Sequence, residues 1–140
     1  ALALFYQGKC AFAMEDFAAA VDYYASAQKA GYDADTCALA KAEALRLSIS
    51  QKNYEGKLFI LEDFKIDSGK TKDAVKALKA FKSRSALIVG DFSLETSRSL
   101  HNLAKVKGLK PAGLNVLDVL RHEHLFITKA GLGALKERLK

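Results

Sequence analysis

Four consecutive apolar residues, Ala86 to Val89, constrain the fold of this chain more than any other stretch of its sequence. The run is too short for a helix and is followed by a glycine and an aspartate, so it predicts a strand that is buried on both faces. Apolar residues recur at helical spacing from Leu94 onward, and a second strand-like run follows at 125–128. Strands that alternate with helices predict a parallel sheet with crossover helices, which is the α/β fold class.

The segment before this run shows the same alternation. Leu58 to Leu61 is a further strand-like run, and the segment 65–81 contains a predicted helix that is capped by Thr71 or Ser68. The other side of that helix carries Lys72, Lys76 and Lys79, which places three ammonium groups in one stripe. A lysine stripe is often only a solvated surface, and it is also what a phosphate-binding surface requires.

The last part of the chain supplies the remaining elements of the predicted domain. The turn-rich segment 108–113 holds the only proline and contains a predicted short strand at 109–110, and a short helix follows at 116–121. Thr128 is the predicted cap of a final helix. Gly131 and Gly133 weaken that helix by roughly 1 kcal/mol each relative to alanine, so it depends on packing.

Residues 1–30 are rich in alanine and aromatic residues at helical spacing, which predicts an α-helical hairpin before the α/β domain. Gly8, Ala20, Tyr24 and Ala27 have the spacing of a tetratricopeptide repeat, and residues 1–43 resemble such a repeat. One hairpin cannot bury its own apolar face, so it must pack on further repeats, on the α/β part or on a partner protein. We predict a hairpin over 1–34 and an α/β domain over 35–140.

The charge of the chain is concentrated in its larger part. Residues 1–40 carry two lysines against five carboxylates, whereas residues 41–140 carry twenty Lys and Arg against eleven Asp and Glu. A basic excess of this kind favours a polyanionic partner, because binding releases the counterions condensed on that partner. Basic domains without any such partner also exist.

Several motifs of the basic part resemble one known family. They are Ala86 to Val89, the pair His101-Asn102, the block GLNVLDVLR at 113–121 and the ending LFITKA at 125–130. Together they resemble the C-terminal part of the fourth protein of the large ribosomal subunit, over about residues 44–140. The family usually has Arg-Asn at the position of the pair, so His101 is a departure.

The resemblance implies a small three-layer, Rossmann-like α/β domain without nucleotide chemistry. It implies a structural constituent of the large ribosomal subunit that binds rRNA and contacts neighbouring ribosomal proteins, with the hairpin as a possible contact surface. The family's long basic loop has no counterpart in this sequence, so a role in the peptide exit tunnel is not carried over. The candidate RNA-binding residues are Lys70, Lys72, Lys76, Lys79, Arg98, His101, Asn102, Lys105, Lys107 and Arg121.

Other sites are weaker interpretations of the residues. Ser68 to Thr71 looks like the end of a phosphate-binding loop, but that loop requires a glycine where this chain has Phe64. The two histidines of 122–124 point apart on a short helix end, which does not suit a metal. Asp63 and Asp91 follow strands without a paired base or nucleophile. We therefore predict no catalytic site, no metal and no cofactor.

The remaining expectations concern location and the alternative function. Cys10 and Cys37 are too few for a disulfide framework, which favours a reducing compartment, and both are expected to be buried. No run has membrane-spanning length, so no membrane partner is expected. We predict a ribosome in a bacterial cytoplasm or an organelle matrix, with a mitochondrion favoured over a chloroplast. The alternative is a tetratricopeptide-type adaptor between proteins that does not bind RNA.

Overall fold

The computed structural model describes residues 1–66 and 71–140, and its elements alternate as the sequence predicts. The helices are α1 (Leu2–Ala13), α2 (Phe17–Lys29), α3 (Ala34–Tyr54), α4 (Thr71–Lys79), α5 (Leu94–His101), α6 (Val116–Arg121) and α7 (Lys129–Arg138). The strands are β1 (Leu58–Leu61), β2 (Ala86–Val89), β3 (Val106–Leu109) and β4 (His124–Thr128), and a 3-10 turn (Pro111–Gly113) follows β3. None of the helices described is long and apolar enough to cross a membrane.

The chain packs into two compact units. The first contains Ala1–Gln51, Asn115–Leu120 and Leu139, and the second contains Lys52–Leu114, Arg121–Arg138 and Lys140. The first unit holds the helices α1 and α2, and the second holds the whole sheet. The division predicted after residue 34 stays a prediction.

The sheet of the second unit has four parallel strands in the order β1, β4, β2, β3. Its register sets Ile88 of β2 opposite Phe126 of β4, which lies opposite Phe59 of β1. Parallel pairing requires a crossover between successive strands, and helices occupy these connections. The predicted α/β class, with helices that precede a parallel sheet, is therefore confirmed.

One face of this sheet packs on α4 and α5. Ala86, Ile88 and Phe126 point to that face, and they share a cluster with Ala74 of α4 and Leu100 of α5. The residue type follows from the position, because alternate residues of a strand point to opposite faces and this face is covered by two helices. The helix predicted within 65–81 is observed as α4 (Thr71–Lys79), and the alternative cap Ser68 lies outside the described residues.

The other face of the sheet is apolar as well. Leu87 and Val89 of β2 and Leu125 and Ile127 of β4 are each no more than 1% exposed. These two strands are thus buried on both faces, as the uninterrupted apolar runs predict. Helix α7 packs back against β4, and the Oγ1 atom of Thr128 accepts a hydrogen bond from the backbone N–H of Gly131 at 3.1 Å.

Strand β3 differs from its predicted position. It begins at Val106 and ends at Leu109, whereas the sequence predicts a strand at 109–110. The strand forms an edge of the sheet and is only partly buried, so a lysine at 107 and a glycine at 108 are accepted within it. Because these residues interrupt the apolar run, periodicity does not reveal the strand.

The hairpin of the first unit is formed by α1 and α2, which pack closely along Gly8. A Cβ atom at this glycine would lie 2.5 Å from Cε1 and 2.6 Å from Cδ1 of Tyr24. Tyr24 belongs to a buried cluster with Phe5 and Cys37, and the ring of Phe5 stacks on that of Tyr32 at 4.5 Å. The predicted hairpin is therefore present.

The two cysteines have different environments. Cys37 is buried in the cluster of the first unit, as expected, whereas Cys10 is exposed on α1. The expectation that Cys10 is buried is wrong, because this residue lies on the side of α1 that faces away from Phe5 and Gly8.

Replacement of Gly8 by alanine is expected to destabilise the protein by about 1–2 kcal/mol. The added methyl group overpacks the contact with Tyr24, which outweighs the better helix propensity of alanine. The matched control is Gly133→Ala in α7, where an added Cβ meets nothing within 4 Å and stability is expected to rise by up to about 1 kcal/mol. Urea unfolding measures both, and equal effects of the two substitutions would contradict the close packing at Gly8.

Candidate nucleic-acid interface

Helix α4 carries its apolar and cationic residues on opposite sides. Ala74 and Leu78 are buried in the cluster under the sheet, whereas Lys72, Lys76 and Lys79 are exposed. This arrangement follows from the helical repeat of the sequence, because residues three and four apart share a face. The predicted lysine stripe is thus accessible to solvent, and its contact with RNA stays a prediction.

The remaining cations of the second unit are positioned by the topology of the sheet. In a parallel sheet each crossover helix ends near the edge at which the next strand begins. Two backbone hydrogen bonds join the chain at this edge: Ala86 N donates to Lys105 O at 3.0 Å, and His124 N donates to Ser85 O at 3.1 Å. We call the edge formed by the starts of the four strands the amino edge.

Five of the predicted RNA-binding residues lie at the amino edge or at a helix end that leads to it. They are Lys79 at the end of α4, His101 and Asn102 at the end of α5, Lys105 directly before β3, and Arg121 at the end of α6. They are distant in sequence, and the order of the strands brings them to one edge. All five are exposed.

The other predicted residues lie elsewhere. Lys76 and Arg98 are in the last turns of α4 and α5, one turn before the amino edge. Lys72 is in the first turn of α4, toward the opposite edge, and Lys107 is within the edge strand β3. Lys70 lies outside the described residues.

Three further cations at the amino edge are not among the predicted residues. Lys82 and Arg84 lie in the connection between α4 and β2, and Lys57 directly precedes β1. Their signal in the sequence is their position just before a strand-like run, since the starts of parallel strands meet at one edge. A search for cations at such positions would have found them.

The opposite edge of the sheet, where the strands end, carries carboxylates. Glu62 and Asp63 follow β1, and Asp91 follows β2. Glu62 Oε1 pairs with Lys129 Nζ at 2.8 Å, and Asp63 Oδ2 pairs with Lys65 Nζ at 2.7 Å. The hydrogen bond from Lys65 lowers the pKa of the Asp63 carboxyl group. Two of these carboxylates therefore already have cationic partners.

The cations of the amino edge are largely without such partners. Across residues 1–66 and 71–140, no ion pair within 4.0 Å involves Lys79, Lys105 or Arg121. Lys57 is different, because its Nζ atom lies 2.9 Å from Glu55 Oε2, and this hydrogen bond raises the pKa of the lysine. The amino edge thus keeps cations that are available to an external anion.

A hydrogen-bond network fixes the backbone of this edge. Ser83 Oγ lies 2.8 Å from His124 Nδ1, and Ser85 Oγ accepts from the backbone N–H of Glu123 at 2.8 Å. The Glu123 carboxylate accepts from the backbone N–H of Arg84 at 3.2 Å. The network joins the turn before β2 to the start of β4, which positions Arg84 at the amino edge.

The same network does not form a catalytic relay. In a serine hydrolase the two ring nitrogens of the histidine contact the serine and the carboxylate separately. Here the Glu123 carboxylate lies 4.0 Å from His124 Nδ1, the same nitrogen that contacts Ser83. The geometry therefore supports a structural role for these residues.

Two other cations of the second unit have structural roles. Lys52 is only 8% exposed, its Nζ atom donates to Glu123 O at 3.4 Å, and burial lowers the pKa of its ammonium group. The Arg138 guanidinium donates to Pro111 O at 2.8 Å and to Leu114 O at 3.0 Å, which ties α7 to the 3-10 turn. Neither is part of the candidate interface.

The helix ends give the exposed cations a second physical role. The last turn of a helix carries a partial negative charge, which nearby cations stabilise by about 0.3–1 kcal/mol each. Lys79 and Arg121 occupy such positions. This role does not use all of the lysines, because Lys105 lies in a connection rather than in a helix.

The second unit is thus a parallel α/β module with exposed cations at the edge where its strands begin. The comparisons with known proteins identify the family. The model of the Ribosomal protein L4/L1 family matches residues 21–138, and the chain belongs to this family.

Bacterial relatives named "Large ribosomal subunit protein uL4" align with the same part of the chain. The chain is 41% identical over 95 residues to that of Wolbachia sp. subsp. Drosophila simulans (strain wRi). It is 40% identical over 98 residues to that of Desulfitobacterium hafniense (strain Y51), and 35% identical over 96 residues to that of Desulfosudis oleivorans. The alignments cover 68–69% of this chain and 47% of each relative, so the chain spans about half the length of the curated relatives it matches.

The family match confirms the predicted resemblance and changes its extent. The family model reaches residue 21, within α2, which is further than the predicted start near residue 44, whereas the alignments with relatives over 95–98 residues have about the predicted length. The additional resemblance of residues 1–43 to a tetratricopeptide repeat is not supported by the comparisons. Membership of a family of ribosomal proteins confirms the prediction that the chain is not an enzyme.

The buried ammonium group of Lys52 predicts a pH dependence of stability. The pKa of Lys52 in the folded state is lower than the ordinary 10.5, because burial disfavours the charged ammonium group. The unfolded state therefore binds more protons than the folded state, so the free energy that this lysine costs the folded protein decreases as the pH rises toward 10.5. A Lys52→Met variant is expected to gain stability relative to the wild type at neutral pH, and this advantage should shrink as the pH rises. Chemical unfolding over this pH range measures the effect.

The control for this experiment is Lys57→Met. The Lys57 pKa is raised by its contact with Glu55, so any stability that this lysine contributes is lost only above 10.5. No shrinking advantage is expected for this variant below that pH. A difference between Lys52→Met and the wild type that stays constant with pH would contradict the assigned burial of the charge.

Proposed function

We propose that this chain is a structural constituent of the large ribosomal subunit that binds rRNA through its second unit. The observation that carries the proposal is the set of exposed cations at the amino edge, of which Lys79, Lys105 and Arg121 have no ion-pair partner among the residues described, whereas Lys65 and Lys129 near the other edge are paired with carboxylates. rRNA presents a dense array of phosphates, and an array of cations binds it with release of counterions. The name of the bacterial relatives supports the same assignment.

The proposed contacts are electrostatic. Lysine acts as a flexible point charge, so Lys72, Lys76 and Lys79 on α4 and Lys105 and Lys107 near β3 neutralise phosphates rather than read bases. Double-stranded RNA is in any case recognised mostly by its shape and backbone, because its deep groove does not admit side chains.

The guanidinium groups and the pair at the end of α5 complete the proposed interface. Arg98 and Arg121 can each form two parallel hydrogen bonds with one phosphate. His101 replaces the arginine that the family usually has, and it contacts phosphate as a donor. Asn102 caps α5 and is exposed beside it. Arg84 joins the set, because the hydrogen bond of its backbone to Glu123 holds it at the same edge. Lys70 also remains a proposed contact.

The proposed partners are the large-subunit rRNA and neighbouring ribosomal proteins, and no membrane is involved. The relatives named above are bacterial, which suits a ribosome of bacterial type. Location in a mitochondrial ribosome is a finer proposal, which rests on the acidic hairpin, since organellar ribosomes often replace rRNA contacts with protein contacts. The adaptor alternative without RNA binding is favoured by one observation, an apolar groove on the hairpin.

The triple substitution Lys79→Gln, Lys105→Gln and Arg121→Gln is expected to weaken binding to large-subunit rRNA without changing sequence preference. Each lost phosphate contact should reduce the slope of log affinity against log salt by about 1. Filter binding or fluorescence anisotropy at several salt concentrations measures this slope with transcribed large-subunit rRNA. The wild type should show a steep fall in affinity with salt.

The matched control is the triple substitution of Lys65, Lys129 and Lys140 by glutamine, which removes three exposed lysines that already pair with carboxylates. It changes the net charge equally and is expected to change the slope by less than half as much. Equal slopes for the two triple variants would mean that RNA binding depends only on the net charge of the protein and not on the amino edge. Absence of measurable RNA binding by the wild type, together with a salt-insensitive peptide ligand in the hairpin groove, would favour the adaptor.

The assignment to a ribosome predicts that the protein sediments with the large subunit. In a sucrose gradient of a lysate made in low salt, the wild type should be found in the large-subunit and ribosome fractions. The amino-edge triple variant should be partly released when the salt is raised, at a concentration at which the wild type stays bound. Recovery of the wild type only at the top of the gradient would contradict the proposal.

A further inference from the structure

The first unit carries an apolar groove that the rRNA interface does not use. It lies between α1 and α2, has a volume of about 590 Å³, and is within the size range of ligand sites. Ala3, Ala11 and Ala19 line it, and Tyr6 and Tyr23 stand beside them. This groove is on the side of the hairpin away from the contact of Gly8 with Tyr24.

Several large apolar side chains that line the groove are exposed. Met14 is 80% exposed, Tyr6 is 56% exposed and Tyr23 is 38% exposed. A helix surface with no partner normally carries polar residues at such positions. Contiguous exposed apolar side chains therefore indicate a surface that another molecule covers.

The charge around the groove selects the class of that molecule. Asp16 lines the groove at the turn between the helices, and its Oδ1 atom also accepts a hydrogen bond from Ala19 N at 3.1 Å. Glu15 directly before it and Asp22 less than two turns along α2 are exposed carboxylates that do not line the groove but lie close to it in sequence. Residues 1–40 have five carboxylates and two lysines. One of these lysines, Lys9, lies over the rings of Phe5 and Tyr6 at 5.4 and 5.8 Å from their centres.

This charge disfavours RNA and a second copy of the hairpin. Phosphates would meet the carboxylates at the turn, and two copies of the groove would bring the same carboxylates together. The complementary occupant has an apolar strip together with cationic residues. Two antiparallel helices with a groove between them recognise such a strip best when it lies on a third helix.

We infer that the groove between α1 and α2 binds an amphipathic helix of another protein, whose apolar side chains fill the groove and whose Lys or Arg residues meet Glu15, Asp16 and Asp22. The anchors of this helix recur at i, i+3 or i+4, and i+7. The interaction is independent of RNA binding by the second unit. The chain would thus contact RNA through one unit and a basic protein segment through the other.

Cys10 provides a direct way to test the groove. It lines the groove and is exposed, whereas Cys37 is buried, so N-phenylmaleimide should modify only Cys10 in the native chain. The added phenyl group fills the groove without a substitution. Mass spectrometry and circular dichroism verify a single modification and an intact fold. If native Cys10 does not react, the groove is covered by the chain itself and the inference is wrong.

The probe is a phage-displayed library of helical peptides of 16 residues, with no net charge on average. Peptides are selected on the unmodified full chain and then depleted on the chain modified at Cys10. We expect the survivors to share apolar residues at i, i+3 or i+4, and i+7 and to carry an excess of Lys and Arg. Survivors that are neutral or acidic, or a selection from which modification of Cys10 removes nothing, would overturn the inference.

The variant Glu15→Lys with Asp22→Lys should weaken binding of a selected peptide by about tenfold, because each reversed charge replaces an attraction with a repulsion. The control Glu43→Lys reverses an exposed carboxylate of α3 that does not line the groove, and it should change binding by less than about twofold. RNA binding should be unchanged or slightly tighter in the double variant, which separates this test from that of the amino edge. Equal loss with the control variant would contradict the role of the carboxylates at the turn.

Discussion

The burial of β2 on both faces is the constraint on which the rest of the second unit depends. Its four residues are no more than 1% exposed, and its two neighbours in the sheet run parallel to it. Neighbouring strands pair with the edges of β2 and leave its two faces open. The faces of a parallel sheet are covered by the helices that connect its strands. Parallel pairing then directs every crossover back to one edge, and this determines where the chain's helix ends lie.

The position of the cations is therefore a property of the topology. Lys79, Lys105 and Arg121 are separated by other elements in sequence, yet each lies where a connection returns to a strand start. The same helix ends carry partial negative charge, which offsets part of the positive field of these side chains. The proposed binding of a phosphate array at this edge would accordingly rest on many contacts of modest strength. We expect such binding to respond strongly to salt.

Much of the fold could be predicted from the sequence because its strongest signals are local. The apolar runs at 58–61 and 86–89 are strands with the predicted bounds, and the helix at 116–121 is likewise observed. Strand β3 was not predicted correctly, because an edge strand accepts Lys107 and Gly108 and so loses its periodic pattern.

The amino edge could be predicted only in part. The lysine stripe of α4 follows from the helical repeat, and the other predicted RNA-binding residues come from the resemblance to a family. The strand order β1, β4, β2, β3 is not encoded in any local pattern, so the meeting of Arg84 with Lys105 at one edge required the structure. The same reason explains Cys10: composition favours burial of a cysteine, but the side of α1 on which it lies is decided by how α2 packs.

The small residues of the hairpin show that its two sides meet different requirements. On one side, Gly8 and Ala20 allow α1 and α2 to approach, because Tyr24 occupies the space that a side chain at Gly8 would need. On the other side, Ala3 and Ala19 leave a groove that contributes nothing to this contact. Stability of the hairpin alone would be better served by long polar side chains there, which cover apolar surface and remain solvated. Small apolar residues below exposed tyrosines are instead what an incoming helix needs, and the carboxylates at the turn make a basic helix the complementary one.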